Sequence, residues 1–279
     1  MQSTQTAQPH RRIAFIGAGN MARSIISGLV NNGYPADAIL AANPSQPKLD
    51  RLAKEFHIHT GNDNLAACDW AEVIVLGVKP QLMAQVCAPI AGINLGGKLV
   101  ISIAAGVTCD SLANYLAQPV ALVRTMPNTP SLLGLGMTGL YAPPEVSQED
   151  RNFAGQLMQA VGEIIWLDRE AQIDQVIACA GSSPAYFFLF MEAMQQAAEK
   201  MGVTAEDARA MIQQAAVGSA AMVKQNPELS LEQLRLQVTS KGGATAKAIE
   251  AFEHHGLRDS VADAMDAAVL RAQEMAKLF

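Results

Sequence analysis

Residues 13–22 read I-A-F-I-G-A-G-N-M-A, a short apolar run followed at once by a glycine-rich turn. The apolar run predicts a buried strand, and Gly17, Gly19 and Ala22 predict a turn that opens a helix. Gly17 permits the tight turn, Gly19 lets the backbone approach a pyrophosphate, and Ala22 allows close helix–strand packing. Because a helix N-terminus favours an anion, the stretch predicts a dinucleotide site; the alternative is a plain glycine-rich turn in an unrelated α/β domain.

Short apolar runs alternate with helical patterns as far as Asp168, which predicts a mostly parallel sheet flanked by helices. Ser45 is a candidate cap for the second helix, and Ser147 with Asp150 forms a capping pair. The predicted strands are Ile13–Ile16, Ile39–Ala42, Ile58–Thr60, Val73–Leu76, Leu99–Ile103, Val120–Arg124, Met137–Tyr141 and Ile164–Leu167.

After Asp168 no strand-like run appears, and apolar residues recur at helical spacing between capping pairs such as Thr204 with Asp207 and Ser230 with Gln233. We therefore expect an α/β chain with three parts. These are a disordered tail at 1–12, a Rossmann-like, doubly wound dinucleotide-binding domain at 13–168 and an all-α dimerisation and substrate-binding domain at 169–279.

The composition limits the possible partners. A length of 279 residues suggests two domains, and a net charge of -6 argues against nucleic acid as a partner. Half of the residues are apolar and only 16% are charged, which predicts a large apolar subunit interface. The absence of an uninterrupted apolar window of about 18 residues argues against a membrane span.

Four cysteines, at positions 68, 87, 109 and 179, are scattered without C-x-x-C pairs. This spacing predicts neither a disulfide framework nor a structural metal, and favours reduced cysteines in a cytoplasmic protein. His57 and His59 lack a third ligand nearby, so we expect no metal. There is no G-x-S-x-G or H-E-x-x-H motif, which removes two common hydrolase classes and leaves hydride transfer.

The second predicted strand ends in Asn43-Pro44-Ser45, where an NAD site usually has an acidic residue. Because no acid is present to repel a 2′-phosphate, and Asn43 and Ser45 offer neutral donors, the sequence favours NADP, with NADH still possible. The alternative is that these residues form only a turn and a helix cap.

Three more loops follow predicted strands, at the sheet edge where ligands bind in such folds. Lys79 in Gly77-Val78-Lys79-Pro80 could contact the cofactor or could be a solvated lysine before a helix. The small residues Ala104–Gly106 suit close approach by a ligand. The loop Pro127–Pro130 carries an amide and a hydroxyl and could equally be a rigid turn.

The predicted helical part contains two conspicuous breaks. Residues Thr239–Thr245 read T-S-K-G-G-A-T and would present unpaired backbone N–H groups suited to a carboxylate. An ordinary glycine-rich helix connection with Thr245 as a cap is the alternative. Residues 181–185 read G-S-S-P-A and could admit a ligand or only kink a helix.

In order along the chain, these motifs resemble the pyrroline-5-carboxylate reductase family. The most specific segment is Val238–Glu253, V-T-S-K-G-G-A-T-A-K-A-I-E-A-F-E, supported by the G-A-G-N-M-A, G-V-K-P, A-A-G-V-T, M-P-N-T-P and G-S-S-P-A-Y segments. The resemblance implies NAD(P)H-dependent reduction of the cyclic imine 1-pyrroline-5-carboxylate to L-proline. It also implies homodimers formed through the C-terminal helices, assembling into a larger ring such as a decamer.

The resemblance also assigns roles to residues. Ser240, Gly243 and Ala244 would bind the substrate carboxylate, and the Thr245 hydroxyl, the implied catalytic group, would reach the ring nitrogen. Lys241 stands where some relatives carry proline, which bears on the stiffness of this loop. The implied cofactor-binding residues are Gly17, Ala18, Gly19, Asn20 and Met21 at the pyrophosphate, Asn43, Ser45 and Asn64 at the adenosine end, and Val78, Lys79, Pro80 and Ala105 along the cofactor.

Two other functions would also fit a dinucleotide-binding domain followed by a helical domain. A hydroxyacid dehydrogenase or another imine reductase could share the two-domain build, but such dehydrogenases usually place a catalytic lysine in the first long helix of the second domain. Here no lysine occurs in that region before Lys200. A non-catalytic dinucleotide-binding protein is the other alternative, against which the complete substrate loop argues.

Overall fold

The computed structural model describes residues 10–278. Contacts between Cα atoms divide it into two compact units. The first contains the described residues up to Ser182 together with those from Ala268 onward, and the second is Ser183–Ala267. The first unit is α/β and the second is all-helical.

The first unit is built on an eight-stranded sheet with the order β3-β2-β1-β4-β5-β6-β7-β8. All neighbouring strands are parallel except β6 and β7, which are antiparallel. Each predicted strand is present, with ends displaced by at most two residues. The strands are β1 (Ile13–Ile16), β2 (Ile39–Ala42), β3 (His59–Gly61), β4 (Val73–Leu76), β5 (Leu99–Ser102), β6 (Ala121–Met126), β7 (Gly136–Tyr141) and β8 (Gly162–Trp166).

Strand β1 lies inside the sheet, between β2 and β4, and all four of its residues are buried. Ile13 and Phe15 pack into the apolar core on one face, whereas Ala14 and Ile16 pack into the core on the other. Successive side chains of a strand point to opposite faces, so a strand covered on both sides must be apolar throughout. The apolar run Ile13–Ile16 is uninterrupted because both faces of β1 are buried.

Four helices begin at predicted cap residues, namely Ser45, Ser147, Thr204 and Ser230. Ser147, Thr204 and Ser230 accept hydrogen bonds from backbone N–H groups as predicted caps. Ser45 is the N-cap residue of its helix but makes no side-chain cap bond. A π-helical turn, Ile177–Gly181, precedes the second unit. The helices are α1 (Asn20–Asn31), α2 (Gln46–Phe56), α3 (Asn64–Trp70), α4 (Met83–Ile90), α5 (Cys109–Leu116), α6 (Gln148–Gln159), α7 (Gln172–Val176), α8 (Ser183–Lys200), α9 (Ala205–Gln225), α10 (Leu231–Gln237), α11 (Ala244–His254) and α12 (Leu257–Ala276).

The start of the described chain is bonded to the sheet unit. Arg11 pairs with Asp150 at 2.8 Å, and the Arg12 carbonyl accepts hydrogen bonds from the amides of Glu72 and Val73. Residues 11 and 12 belonged to the predicted disordered tail, but these contacts hold them in place. Of the rest of that predicted tail, His10 is described and exposed, and residues 1–9 lie outside the described residues.

The second unit exposes many large apolar side chains in the single chain. On α8, Phe187, Phe188 and Leu189 are each about two-thirds exposed, at 67%, 63% and 66%. By length and composition, the helical stretch Gln172–Lys200 is apolar enough to cross a membrane. An apolar surface of this kind otherwise marks contact with another protein.

The path of the chain creates a crevice beside β1. From β1 the chain proceeds outward through β2 to β3, and then returns to β4 on the other side of β1. From β4 it proceeds outward in the opposite direction to β5 and β6. Ligands bind at such a switch point, outside the carboxyl ends of the strands.

Candidate functional site

The turn after β1 is in backbone contact with the end of β4. Gly17 has φ +106°, and a Cβ atom there would lie 2.7 Å from the carbonyl oxygen of Gly77. The amide of Gly17 donates to Ala42 O at 2.8 Å, and that of Gly77 donates to Ile16 O at 2.9 Å. Strands β1, β2 and β4 are therefore hydrogen-bonded together at the predicted dinucleotide turn, and no side chain fits at Gly17.

The N-terminus of α1 is open to an anion. Gly19 is its N-cap residue, no side chain caps the helix, and the first turn holds no acidic residue. The first N–H groups of a helix lack internal partners and carry a partial positive charge. The tight turn at Gly17 and these uncapped N–H groups together fit the pyrophosphate of a dinucleotide.

The predicted adenosine-end residues occupy the ends of the next two strands. Asn43 Oδ1 accepts from the amide of Ala18 at 3.2 Å, which joins the β2 turn to the β1 turn. Asn43 N donates to Gly61 O at 3.1 Å. Ser45 is the N-cap residue of α2 and Asn64 is the first residue of α3, and both are half-buried. The structure brings these residues to one sheet edge.

The remaining predicted cofactor residues follow β4 and β5 at the same edge. Lys79 is exposed and precedes a short 3₁₀ turn, Pro80–Leu82, so that α4 begins at Met83 rather than at Pro80. Val78 and Ala105 are half-buried. All twelve predicted cofactor-binding residues thus lie on the turns that follow β1 to β5 or at the start of the next helix, although the sequence motifs alone identified only the turn after β1.

The side-chain amide of Asn128, in the predicted loop Pro127–Pro130, makes hydrogen bonds within the protein. Its Nδ2 donates to Ala180 O at 3.0 Å, and its Oδ1 accepts from Met137 N at 2.9 Å. Asn128 is 8% exposed. These bonds favour the interpretation of the loop as a rigid turn, because both ends of the amide are already occupied.

In the second unit, Ser240 and Gly243 form a tight turn before α11. Gly243 N donates to Ser240 O at 3.0 Å, and a Cβ atom on Gly243 would lie 2.6 Å from Ser240 Oγ. Gly242 has φ +74°. A side chain at Gly243 would therefore displace the Ser240 hydroxyl.

The N-terminus of α11 is also uncapped. Gly243, and not Thr245, is the N-cap residue, no side chain caps the helix, and its first turn holds no acid. The alternative role of Thr245 as a cap is therefore wrong. Ser240 and Thr245 are exposed on this turn, so a carboxylate ligand could reach open N–H groups and two hydroxyls together.

The buried cysteines are poor nucleophiles. Burial raises the pKa of the Cys68 and Cys109 thiols to about 12 and that of Cys87 to about 11. A thiol with such a pKa is protonated at neutral pH, and the thiolate is the reactive form. Among the described residues no cluster of His, Cys, Asp and Glu could hold a metal ion.

Sequence reasoning missed one buried charged pair. Arg124 on β6 is 3% exposed, and its Nη1 atom lies 2.8 Å from Glu170 Oε1. The only sequence signal was an arginine inside an otherwise apolar strand, A-L-V-R-T-M. Its partner, far along the chain, could not be identified without the fold.

Comparison with known proteins places this architecture in a defined class. Residues 12–106 match a family described as NADP oxidoreductase, coenzyme F420-dependent. Residues 170–275 match the pyrroline-5-carboxylate reductase dimerisation family. The chain is therefore an oxidoreductase with an N-terminal Rossmann-like domain and a C-terminal helical dimerisation domain.

Individual relatives cover almost the entire chain. A pyrroline-5-carboxylate reductase of Vibrio alginolyticus is 57% identical over 97% of this chain and 99% of its own. A structure of that enzyme from Coxiella burnetii has a TM-score of 0.90 at 43% identity, covering 96% of this chain and 99% of its own. A structure of the Plasmodium falciparum enzyme with NADP bound has a TM-score of 0.85 at 26% identity, covering 96% of this chain and 98% of its own. The chain belongs to the pyrroline-5-carboxylate reductase family.

Family membership also explains the exposed apolar helices. The apolar stretch Gln172–Lys200 lies inside the region that matches the dimerisation family. Its exposed phenylalanines are therefore part of a domain that binds a second subunit. The family match supports oligomerisation, and the use of this apolar surface as the subunit interface stays a prediction.

Proposed function

We propose that this chain catalyses the NAD(P)H-dependent reduction of 1-pyrroline-5-carboxylate to L-proline, the last step of proline biosynthesis. The observation that carries this proposal is 57% identity to a pyrroline-5-carboxylate reductase over 97% of the chain. The two uncapped helix N-termini support it, because the reaction needs a dinucleotide diphosphate and a carboxylate to be bound.

The dinucleotide would be held by the turns at the carboxyl edge of the sheet. The Gly17–Met21 turn would bind the pyrophosphate, Asn43, Ser45 and Asn64 the adenosine end, and Val78–Pro80 with Ala105 the length of the cofactor. The fit is supported by the turn after β1, where Gly17 cannot carry a side chain because a Cβ would lie 2.7 Å from Gly77 O, and by the N-terminus of α1, which no side chain caps. When bound, the nicotinamide supplies a hydride.

The substrate would bind at the turn before α11. Ser240, Gly243 and Ala244 would bind its carboxylate, with the helix N-terminus adding a favourable field. The Thr245 hydroxyl would hydrogen-bond the ring nitrogen and orient the imine. A protonated imine is already electrophilic and its nitrogen keeps its proton after reduction, so the chain needs to position its substrates and exclude water more than to move protons.

NADPH is the preferred reductant in this proposal. No acidic residue follows β2 in the segment Asn43–Ser45, so a 2′-phosphate meets no like charge there. The related enzyme described with NADP bound supports the same preference. NADH would be used less efficiently.

The assembly we propose is a homodimer formed through the C-terminal helices, with dimers joining into a ring such as a decamer, in the cytoplasm. Phe187, Phe188 and Leu189 supply exposed apolar area for the dimer contact. The dimerisation domain would begin near residue 169, which the family match at residues 170–275 supports.

The decisive experiment is an assay of NADPH oxidation with 1-pyrroline-5-carboxylate, followed by identification of proline as the product. Cyclic imines that lack the carboxylate serve as controls and should react poorly. If NADPH oxidation did not depend on the imine carboxylate, the proposed substrate would be wrong. Light scattering would test the assembly, because a monomer at micromolar concentration contradicts it.

A further inference from the structure

The buried pair Arg124 and Glu170 is connected to the start of α5. Glu170 Oε1 accepts from Arg124 Nη1 at 2.8 Å and also accepts from Cys109 N at 2.8 Å. Cys109 is the first residue of α5. One carboxylate oxygen therefore joins a strand of the sheet to the first backbone N–H group of a helix.

Glu170 has little freedom to leave this position. The Arg124 side chain is 4% exposed and that of Glu170 is 23% exposed. Within the described chain, the Nε and Nη2 atoms of Arg124 are buried and have no hydrogen-bond partner. Removal of Glu170 would leave the buried guanidinium without its hydrogen-bonded carboxylate, which is strongly unfavourable. The guanidinium and the Cys109 amide therefore share one carboxylate oxygen, and each helps to hold it in place.

The loop before α5 is fixed at both ends by neighbouring residues of β6. At its start, Thr125 Oγ1 donates to Ser102 O at 3.0 Å, directly where β5 ends. At its other end, Arg124 acts on Cys109 through Glu170. Strand β6 thus determines where the loop of residues 103–108 lies.

The middle of this loop is also closely packed. Gly106 has φ +76°, and a Cβ atom there would lie 3.2 Å from Met275 Cβ. Ala104 is 5% exposed. Ala105, which the proposed function places along the cofactor, lies between these two packed residues, so displacement of either loop end would move it.

We propose that Glu170 is a positioning residue for the dinucleotide. It acts through the Cys109 amide to hold the Ala105 loop where the cofactor binds. This inference rests on the proposed function. It concerns affinity for the cofactor rather than the chemical step, and Glu170 itself touches neither substrate nor cofactor.

The test compares Glu170→Ala with Glu170→Gln in the full-length assembled protein, by fluorescence titration with NADPH. Glutamine keeps an oxygen acceptor for the Cys109 N–H group, whereas alanine removes it. We expect Glu170→Ala to weaken NADPH binding by about fivefold, the net effect of one hydrogen bond. Glu170→Gln should stay within about twofold of the unaltered protein, because its acceptor oxygen remains.

Both variants remove the carboxylate that pairs with Arg124 and could therefore fold poorly. The same comparison is for this reason repeated in an Arg124→Met background. There, no buried cation remains, and the acceptor at residue 170 alone distinguishes the two proteins. Asp150→Ala provides a matched control. It removes another arginine–carboxylate pair of 2.8 Å in the same unit, and should leave NADPH affinity unchanged.

A role in stability alone would lower the melting temperature of the Ala and Gln variants together without separating their NADPH affinities. The inference is overturned if the two bind NADPH equally well in the Arg124→Met background. The proposed function fails on a different result, namely that the unaltered protein does not reduce the imine carboxylate.

Discussion

Gly17 and Gly77 face each other so closely that a single methyl group on Gly17 would lie 2.7 Å from the carbonyl oxygen of Gly77. This contact joins the turn after β1 to the end of β4 at the switch point of the sheet. Both partners are backbone, so the contact cannot relax by rotating a side chain. The geometry of the dinucleotide turn depends on the absence of a side chain at this position.

Gly17→Ala should therefore lower the free energy of unfolding by about 2 kcal/mol or more and abolish measurable NADPH binding. The change forces φ +106° on a residue with a Cβ and adds a backbone clash. Urea unfolding and NADPH titration measure the two effects.

Gly33→Ala is the control, because Gly33 has φ +87° with nothing within 4 Å. It should cost about 1 kcal/mol of stability through strain alone and leave NADPH affinity unchanged, and equal affinities in the two variants would contradict this account.

Ser45→Asp should shift the preference from NADPH toward NADH. Aspartate is a good N-cap residue for α2, so the fold is retained, but its charge would repel a 2′-phosphate. We expect kcat/KM for NADPH to fall about tenfold, equivalent to about 1.4 kcal/mol, with NADH little changed. Asn152→Asp adds the same charge at an exposed position on α6 and should alter neither value. A constant NADPH to NADH ratio in Ser45→Asp would place the 2′-phosphate elsewhere.

Thr245→Ala should lower kcat/KM for the imine at least about tenfold, or about 1.4 kcal/mol. The hydroxyl that orients the ring nitrogen is lost, while α11 keeps its Gly243 N-cap. Thr245→Ser retains the hydroxyl and should recover most of the activity. Steady-state kinetics at saturating NADPH provide the measurement, and an alanine variant with unchanged kinetics would remove Thr245 from the mechanism.

Stability should decline in alkaline solution because of the buried thiols. Burial raises the pKa of the Cys68 thiol from its ordinary value of 9.0 to about 12 in the folded protein. As pH rises above 9, the unfolded chain releases this proton while the folded chain keeps it, so the stabilising contribution is lost progressively up to about pH 12. Urea midpoints between pH 7.5 and 10.5 should fall less steeply for Cys68→Ala than for the unaltered protein, and parallel curves would show that this thiol is not responsible.

The sequence predicted those features that depend on nearby residues. β1 and the start of α1 follow from one apolar run and two glycines, and the Ser147, Thr204 and Ser230 caps follow from residues three apart. The ends of the strands were predicted less accurately than their positions. The third strand was predicted to begin at Ile58, which is buried, but β3 begins at His59. Burial of an apolar side chain does not by itself extend the hydrogen-bonded ladder.

Contacts between distant parts of the chain could not be predicted. Arg124 and Glu170 are separated by 46 positions, and Asn128 and Ala180 by 52. An isolated arginine in an apolar strand indicates a buried partner without saying where that partner is. The π-helical turn Ile177–Gly181 likewise has no distinctive periodicity over so few residues. The resemblance to a known family, and not spacing, supplied the roles of residues on the later turns.

The unshielded aromatic side chains of α8 have a consequence for handling the protein. Phe187 and Phe188 are 67% and 63% exposed when the chain is alone. A subunit released by dilution therefore exposes apolar side chains that can adsorb to tube walls, to membranes and to misfolded proteins. Specific activity should then decay with time in nanomolar stocks, and the decay should be slower when carrier protein is added or the stock is kept concentrated.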